Sequence, residues 1–523
     1  SDLEPSQPRL ELDLVELDDG RVQRDASQHD IPTRTKTAPP TGALALDFAV
    51  AGMLVADASD RIADLATAYL RGAWRGAVIL IVSEGLALSA VVLHAVGESP
   101  PRGFWASLWH FLFGRLRRRI GGLGYTERPA SALPAERLEL FDTLFLINRG
   151  LTLHLEMHSF VLHNRLLGLA LELGEPRRLA MMLANEMLVV ASSEGEGRVH
   201  GIAGEARDLA ARSGDVEVDR MIDMQSCMVD YALNRFKLST DRLRELLKRL
   251  DDVAGAEWLR LMATLVYSSL CVITGRWAEL YRNLPQWLAA ARERGNLREI
   301  VELDAYAAMT ELHRGNLEQA RYHLESSRAL WDASSYNYTS VMIDRVEILM
   351  LLGEGQHARV VTRVDEMLAA VKRSSVAINP VVQRFVDQLI GRCWAAAAVQ
   401  APADTKLHAR LRKVCKRLRK TKVSLYVGEA ALFEAALASV AGDGMEQRRR
   451  WREAELLFAE AGIETQLAAV RWQLAQVTSD EESRKFSRAA TKYFGQNGIT
   501  NAASLSALLV PCVAPPALPA STA

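Results

Sequence analysis

The densest group of metal-capable side chains is His154, His158 and His163 in HLEMHSFVLH, with Glu156 between the first two. Spacing of four puts His154 and His158 on one helical face, which is half of a zinc site, but the order is not H-E-x-x-H. The Leu, Met, Phe and Val residues between them predict a packed helix with structural histidines and no metal. Phosphate transfer has no better support: the chain lacks a G-x-x-x-x-G-K-[ST] loop, an H-R-D segment and a D-F-G segment. GEGRVHG, residues 195–201, lacks the dinucleotide-binding spacing and reads as a turn. There is no G-x-S-x-G elbow, and Cys227, Cys271, Cys393, Cys415 and Cys512 stand apart, with no neighbour in sequence that would activate a thiolate. Their expected role is packing as reduced thiols. No cofactor is expected, and the chain is not expected to be an enzyme, although a site assembled from distant carboxylates would leave no motif.

Binding chemistry is more visible. Residues 405–422, TKLHARLRKVCKRLRKTK, hold nine Lys and Arg and no acid. Leu407, Leu411, Val414 and Leu418 follow helical spacing, so the segment predicts a helix with one apolar seam and basic residues on its other faces. Arg410, Arg412, Lys413, Lys416, Arg417, Arg419 and Lys420 are then candidate contacts for an acidic protein or a nucleic acid, or simply a solvated face. Arg448, Arg449, Arg450 and Arg452 surround Trp451 and are expected near the first set if one hairpin joins them. A third run, Arg115 with Arg117 to Arg119, follows FWASLWHFLFG, whose aromatic residues are expected to serve as a hairpin core. Trp331, Tyr336 and Tyr338, interleaved with Ser334, Ser335 and Asn337, predict a polar and aromatic loop able to contact a partner.

The elements that carry these residues are almost all helices: long Ala, Leu, Glu and Arg segments broken by short Gly, Asn, Asp or Pro turns. Gly275, Gly315 and Gly355 recur at 40-residue intervals, each just before a helix. The interval holds two antiparallel helices and their turns, the unit of a tetratricopeptide-like array. Ala278, Ala320 and Ala358 are expected at the close contacts between helices. Weaker members begin near Gly72, Gly174 and Lys237, another spans Gly444 to Gly462, and one is expected in Val376–Val399. A helical hairpin leaves an apolar side that the next hairpin covers, so the fold expected is an all-α, right-handed, tetratricopeptide-like solenoid with irregular repeats and about six to eight hairpins.

The length of 523 residues exceeds one ordinary core, and the composition, 49% hydrophobic and 24% charged, excludes a wholly disordered or disulfide-dense chain. A net charge of −1 supplies no global field toward nucleic acid or anionic lipid. Residues 1–42 combine an acidic stretch with the Pro- and Thr-rich IPTRTKTAPPTG and read as a tail or linker. Residues 43–128 are assigned to N-terminal hairpins, 129–400 to a central array, 401–509 to a C-terminal array with the basic helix, and 510–523 to a loose Pro- and Ala-rich tail. The apolar run Ala77–Val96 is interrupted by Ser83, Glu84, Ser89 and His94 and reads as buried helix, not as a membrane span. With no visible secretion signal, the cytoplasm is the expected location.

Three segments in order, RRRIGGLGYTERPASALPAERLELFD (117–142), GRWAELYRNLPQWLAAARERGNL (275–297) and KYFGQNGITNAASLSALLVP (492–511), resemble the long helical C-terminal region of large bacterial serine/threonine protein kinases that also carry an ATPase-like module, a type common in myxobacteria. The likeness covers most of residues 60–510. It implies a sensor or scaffold array, in bacterial signalling, attached to kinase and nucleotide-switching modules that this sequence does not contain. The function expected is therefore a non-enzymatic scaffold for a protein or peptide. Three alternatives stand beside it: a sensor or autoinhibitory region of a kinase–ATPase system, a nucleic-acid adaptor using the basic helix, and an enzyme without a recognisable motif.

Overall fold

The computed structural model describes residues 104–512, except 155, 194–195, 252, 254–255 and 332–335. The proposed tail at 1–42, the hairpins expected before residue 104, the run Ala77–Val96, Ser334, Ser335 and the segment 513–523 lie outside the described residues. Within them the fold is all-α, with 20 α-helices in succession: α1 (Phe104–Gly121), α2 (Ala135–His154), α3 (Glu156–Leu173), α4 (Pro176–Ser193), α5 (Glu196–Ser213), α6 (Val216–Ala232), α7 (Phe236–Leu250), α8 (Glu257–Thr274), α9 (Trp277–Glu293), α10 (Leu297–Arg314), α11 (Leu317–Leu330), α12 (Tyr338–Gly353), α13 (His357–Arg373), α14 (Pro380–Gln400), α15 (Thr405–Lys420), α16 (Ser424–Val440), α17 (Gly444–Ala461), α18 (Glu464–Ala475), α19 (Asp480–Gln496) and α20 (Ala502–Leu509). Most pack mainly on their neighbours in sequence, α1 instead on α3 and α20 on α18, and from α4 to α16 the even-numbered helices also pack on one another. That is the contact pattern of a helical solenoid.

The turns follow from residues able to adopt positive φ. Gly174, Gly214, Gly275, Gly295, Gly315, Gly355, Gly442 and Gly462 do so between helices, and Asn234 does the same with φ 62°. Many of these positions fall about 20 residues apart, one helix plus one turn, so the 40-residue period counts hairpins. The register within the repeat differs from the one expected. Ala320 is buried, but Ala358 is exposed and Ala278 only half-buried. The position that packs lies five residues after each turn glycine, at Leu280, Ala320 and Val360, with Leu284, Leu324 and Val364 one helical turn later. Volume at these sites varies while burial does not, which is why small residues alone misplace the contact.

The two helices of a hairpin differ in how much of their surface is covered. Outer helices bury a single stripe: Trp277, Leu280, Leu284, Leu288 and Ala291 in α9, or Val360, Val364, Met367 and Val371 in α13. Each large side chain so buried contributes about 1.5–3 kcal/mol. Inner helices are covered nearly all round, and in α10 every residue from Glu299 to His313 except Glu311 is buried. Their polar groups are then obliged to find partners. Asp304 accepts hydrogen bonds from His323 Nδ1 (2.9 Å) and Ser326 Oγ (2.7 Å), and Glu302 accepts one from Thr339 Oγ1 at 2.7 Å.

Several local expectations meet the structure directly. Pro129 and Pro134 bracket a short turn and α2 begins at Ala135; Asn501 caps α20 by accepting from Ser504 N at 2.9 Å. The segment Val376–Val399, where a repeat is expected, holds a single α-helix, α14, whose hairpin partner is the basic helix α15. GEGRVHG is not a turn: from Glu196 onward it is the start of α5. Val199, Ile202, Ala206, Leu209 and Ala210 form a buried stripe there, and Gly197, Gly201 and Gly204 lie on the exposed side. Burial of the stripe outweighs the helix cost of about 1 kcal/mol per glycine. The run FWASLWHFLFG, in α1, is divided. Phe111 meets Phe160 with ring centroids 5.2 Å apart, whereas Trp109 and Phe113 are each 69% exposed.

The solenoid curves until its C-terminal helices meet its middle. Trp277 Nε1 donates to Thr465 Oγ1 (2.8 Å), Thr465 shares a 2.7 Å hydrogen bond with the Tyr493 hydroxyl, and that hydroxyl donates to Gly275 O at 2.7 Å. Ala278 N donates to Asn497 Oδ1 (3.0 Å) and Thr500 Oγ1 to Arg314 O (2.7 Å). A side chain at Gly275 would stand 2.4 Å from Thr465 Oγ1 at a φ of +81°, so closure requires glycine there.

Candidate functional site

The basic helix forms as α15, capped by Asp404, which accepts from Lys406 N and Leu407 N. Leu407, Leu411, Val414 and Leu418 are buried together with Cys415. Its arginines are substantially neutralised. Arg410 pairs with Asp365 and lies 4.1 Å from the centroid of the Trp394 ring, and Arg417 holds Asp387 at 2.9 Å. Arg419 reaches Glu434 (2.6 Å) and Glu453 (2.8 Å). Arg450 pairs with the same two carboxylates, at 3.0 and 2.9 Å, so the two basic sets meet across Glu434 and Glu453. Arg449 bridges to Glu446 at 2.6 Å and Arg448 Nε donates to Gly444 O at 3.1 Å. Arg412, Lys413, Lys416 and Lys420 remain exposed, on the side of α15 opposite its seam, with no ion pair among the described residues.

Trp331, Tyr336 and Tyr338 flank the start of α12. Asn337 caps that helix, accepting from Thr339 N and Ser340 N, while Ser340 Oγ accepts from Asn337 N in return. This capping box also fixes the aromatic residues. Trp331 Nε1 donates to Ser340 Oγ at 3.0 Å, and the Tyr336 hydroxyl donates to Asp344 Oδ2 at 2.7 Å. All three residues are half-buried. Burial lifts the Tyr336 hydroxyl well above the ordinary phenol range, and Asp344 adds to the effect.

Of the three histidines, only the His163 side chain is described. It is buried in α3 and shares a 2.9 Å hydrogen bond with Glu186 Oε2, while Arg115 meets the other oxygen. Burial would raise the Glu186 carboxyl, but His163 and Arg115 outweigh it and hold it below the usual range. Among the described residues no group of three or more His, Cys, Asp or Glu is placed to hold a metal ion. Four of the five thiols are buried. Burial pushes Cys227, Cys393 and Cys415 up to about 12, which suits packing and not nucleophilic work.

The polar residues that converge most closely are on the inner helices. Tyr231 (α6), Ser269 (α8), Tyr306 (α10), Tyr338 and Arg345 (α12), Arg392 (α14) and Glu429 (α16) lie within electrostatic reach of one another. Tyr426 (α16) adjoins Tyr231 on one side and Arg384 (α14) on the other. Protein surrounds Tyr231, Tyr338 and Arg345, yet each keeps partial exposure, as expected of residues lining a space that solvent enters. Burial raises all four tyrosine hydroxyls, so they stay protonated as donors at neutral pH. For Arg345 burial lowers the pKa, and the neighbouring Arg392 lowers it further.

Tyr338 is the one residue of this set that the local sequence singled out. Tyr231, Tyr306, Arg345, Arg384 and Tyr426 come from helices far apart in the chain, and no spacing links them. The available signal was chemical: Arg345 is the one basic residue of α12, in VMIDRVEILMLL beside Asp344 and Glu347. No protein-family model and no curated protein matches the chain. Among the described residues no helix is long and apolar enough to cross a membrane.

Proposed function

We propose that the chain is a non-enzymatic recognition scaffold whose inner helices bind a protein or peptide segment, with hairpins winding in the right-handed sense of tetratricopeptide arrays. The observation that carries this reading is the convergence of polar side chains from α6, α8, α10, α12, α14 and α16 on one inner face. A stacked array serves an extended ligand because successive helices each offer it a side chain. Resemblance of three sequence segments to kinase-linked arrays makes a regulatory module of a kinase–ATPase system the first partner to try. The test is retention of a displayed peptide library on purified protein. Bound peptides are expected to be lost when Tyr231→Ala and Arg384→Glu alter the inner face, and kept when Lys413→Gln alters the outside. Retention of no peptide, or equal loss with both variants, overturns the reading.

A nucleic-acid adaptor is the second reading, favoured by the exposed stripe of Arg412, Lys413, Lys416 and Lys420 on α15. Phosphate binding through four cations would weaken steeply with salt, with a slope of log affinity on log salt of roughly −3 to −4. No binding of DNA or RNA at low salt removes this reading.

A further inference from the structure

Charge inside a protein is costly unless paired, and the arginines of the inner face differ in how they are paired. Arg392 donates to Glu429 Oε1 at 2.8 Å, and Glu302 is taken by Arg298 at 2.9 Å. Arg345 makes no ion pair and no hydrogen bond among the described residues, Glu429 acting on it only at a distance; its ring contact is Phe385, with the centroid 5.8 Å away. Arg384 reaches Asn234 Oδ1 at 3.4 Å and faces Tyr426 at 5.7 Å, again without a carboxylate. Unmet hydrogen-bonding capacity collects at the same place: Arg392 Nε and Glu429 Oε2 are both buried without partners. On the outer helices Arg410, Arg417, Arg419 and Arg450 behave differently, since each holds a carboxylate.

We propose that Arg345 anchors an oxyanion site on the inner face that takes a carboxylate of an acidic peptide segment, with Arg384 meeting a second negative charge along the same segment. A guanidinium offers a carboxylate two parallel N–H donors, and a charge-assisted pair of this kind is worth most where water is scarce. The hydroxyls of Tyr306 and Tyr338, which engage one another and Ser269, stay protonated beside it. Phe385 and Tyr426 offer ring faces to the apolar side chains between two acids. The proposal rests on the inner face being the recognition surface, and it adds the charge of the ligand.

The experiment measures the thermal midpoint of the whole chain against three probes: succinate, inorganic phosphate, and an acetylated, amidated peptide of alternating glutamate and leucine. Ligand that binds only the folded state raises the midpoint with concentration. The peptide is expected to raise it in the wild type, to lose the shift in Arg345→Met, to keep part of it in Arg345→Lys, and to keep all of it in Lys413→Gln. Without any probe, Arg345→Met is expected to melt no lower than the wild type, because an unpaired buried charge has been removed. A purely structural arginine would give a lower midpoint, and that result overturns the site. A peptide shift that survives Arg345→Met overturns it while leaving the scaffold reading intact. Succinate or phosphate acting through Arg345 with no peptide effect overturns the peptide assignment and the scaffold reading together.

Discussion

The arginines of α15 and those of the inner helices sit in the same repeat array under opposite physical conditions. Outside, Arg410, Arg417 and Arg419 find carboxylates on neighbouring helices, and four further cations stay in water. Surface pairs of this kind are worth at most about 1 kcal/mol and weaken with salt. Inside, Arg392 and Glu429 form a buried pair, and Arg345 lies within electrostatic reach of both but holds no carboxylate in an ion pair among the described residues. A conspicuous run of charge in sequence is therefore the region where charge is energetically cheap, and a single arginine facing the inner helices is the one that demands a reason.

The largest effect should come from breaking the inner pair. Glu429→Leu leaves Arg392 buried without its carboxylate, and a loss of about 4 kcal/mol is expected in urea unfolding; a change below about 1 kcal/mol would mean that water already solvates this pair. Next is the apolar seam of the outer helix. Leu411 is fully buried, so Leu411→Ala should cost about 3 kcal/mol, which would show that α15 is held by its seam and not by its charges.

A smaller, pH-dependent effect tests the inner surroundings. His313 stacks on Trp277 with centroids 3.9 Å apart, its Nδ1 lies 2.8 Å from Met309 O, and Arg392 and Arg345 face it. Burial first, then the two arginines, lower its pKa from 6.5 to about 3. The unfolded chain thus takes up a proton below pH 6.5 that the folded chain refuses. Stability from this residue is fully present above pH 6.5 and is lost as pH falls toward 3, by up to about 1.4 kcal/mol per pH unit. His313→Phe should flatten that part of a plot of urea midpoint against pH, and an unchanged slope would place the histidine in water. The smallest effects belong to the outer charges. Arg410→Gln should cost under about 1 kcal/mol, and Lys413→Gln should fall within about 0.5 kcal/mol of the wild type.

Much of the fold could be read along the chain because its causes are local. Glycine at the turns and the seam of α15 each act within one or two helical turns. Gly391 and Gly428 show where local reading stops. They are glycines inside helices, and their role is evident only when a Cβ at Gly391 or Gly428 is seen to fall 2.3 or 2.7 Å from the ring of Phe433 on α16 or Phe458 on α17. The candidate site was less legible than the fold. Trp331 and Tyr336, chosen as contacts, have their polar atoms engaged by Ser340 and Asp344, whereas Tyr231, Tyr306 and Arg345 carry no mark that local spacing would detect.

Helical content, the 40-residue period and the amphipathic outer helices were determined by the sequence alone, since backbone propensity and one-sided burial act between residues a few positions apart. Only the tertiary structure decided that the array closes Trp277 and Gly275 onto Thr465 and Tyr493, and that Arg345 shares an interior with tyrosines from three other helices. The first set joins residues 188 to 218 positions apart and the second joins successive inner helices, so neither acts within the few positions over which propensity and one-sided burial work.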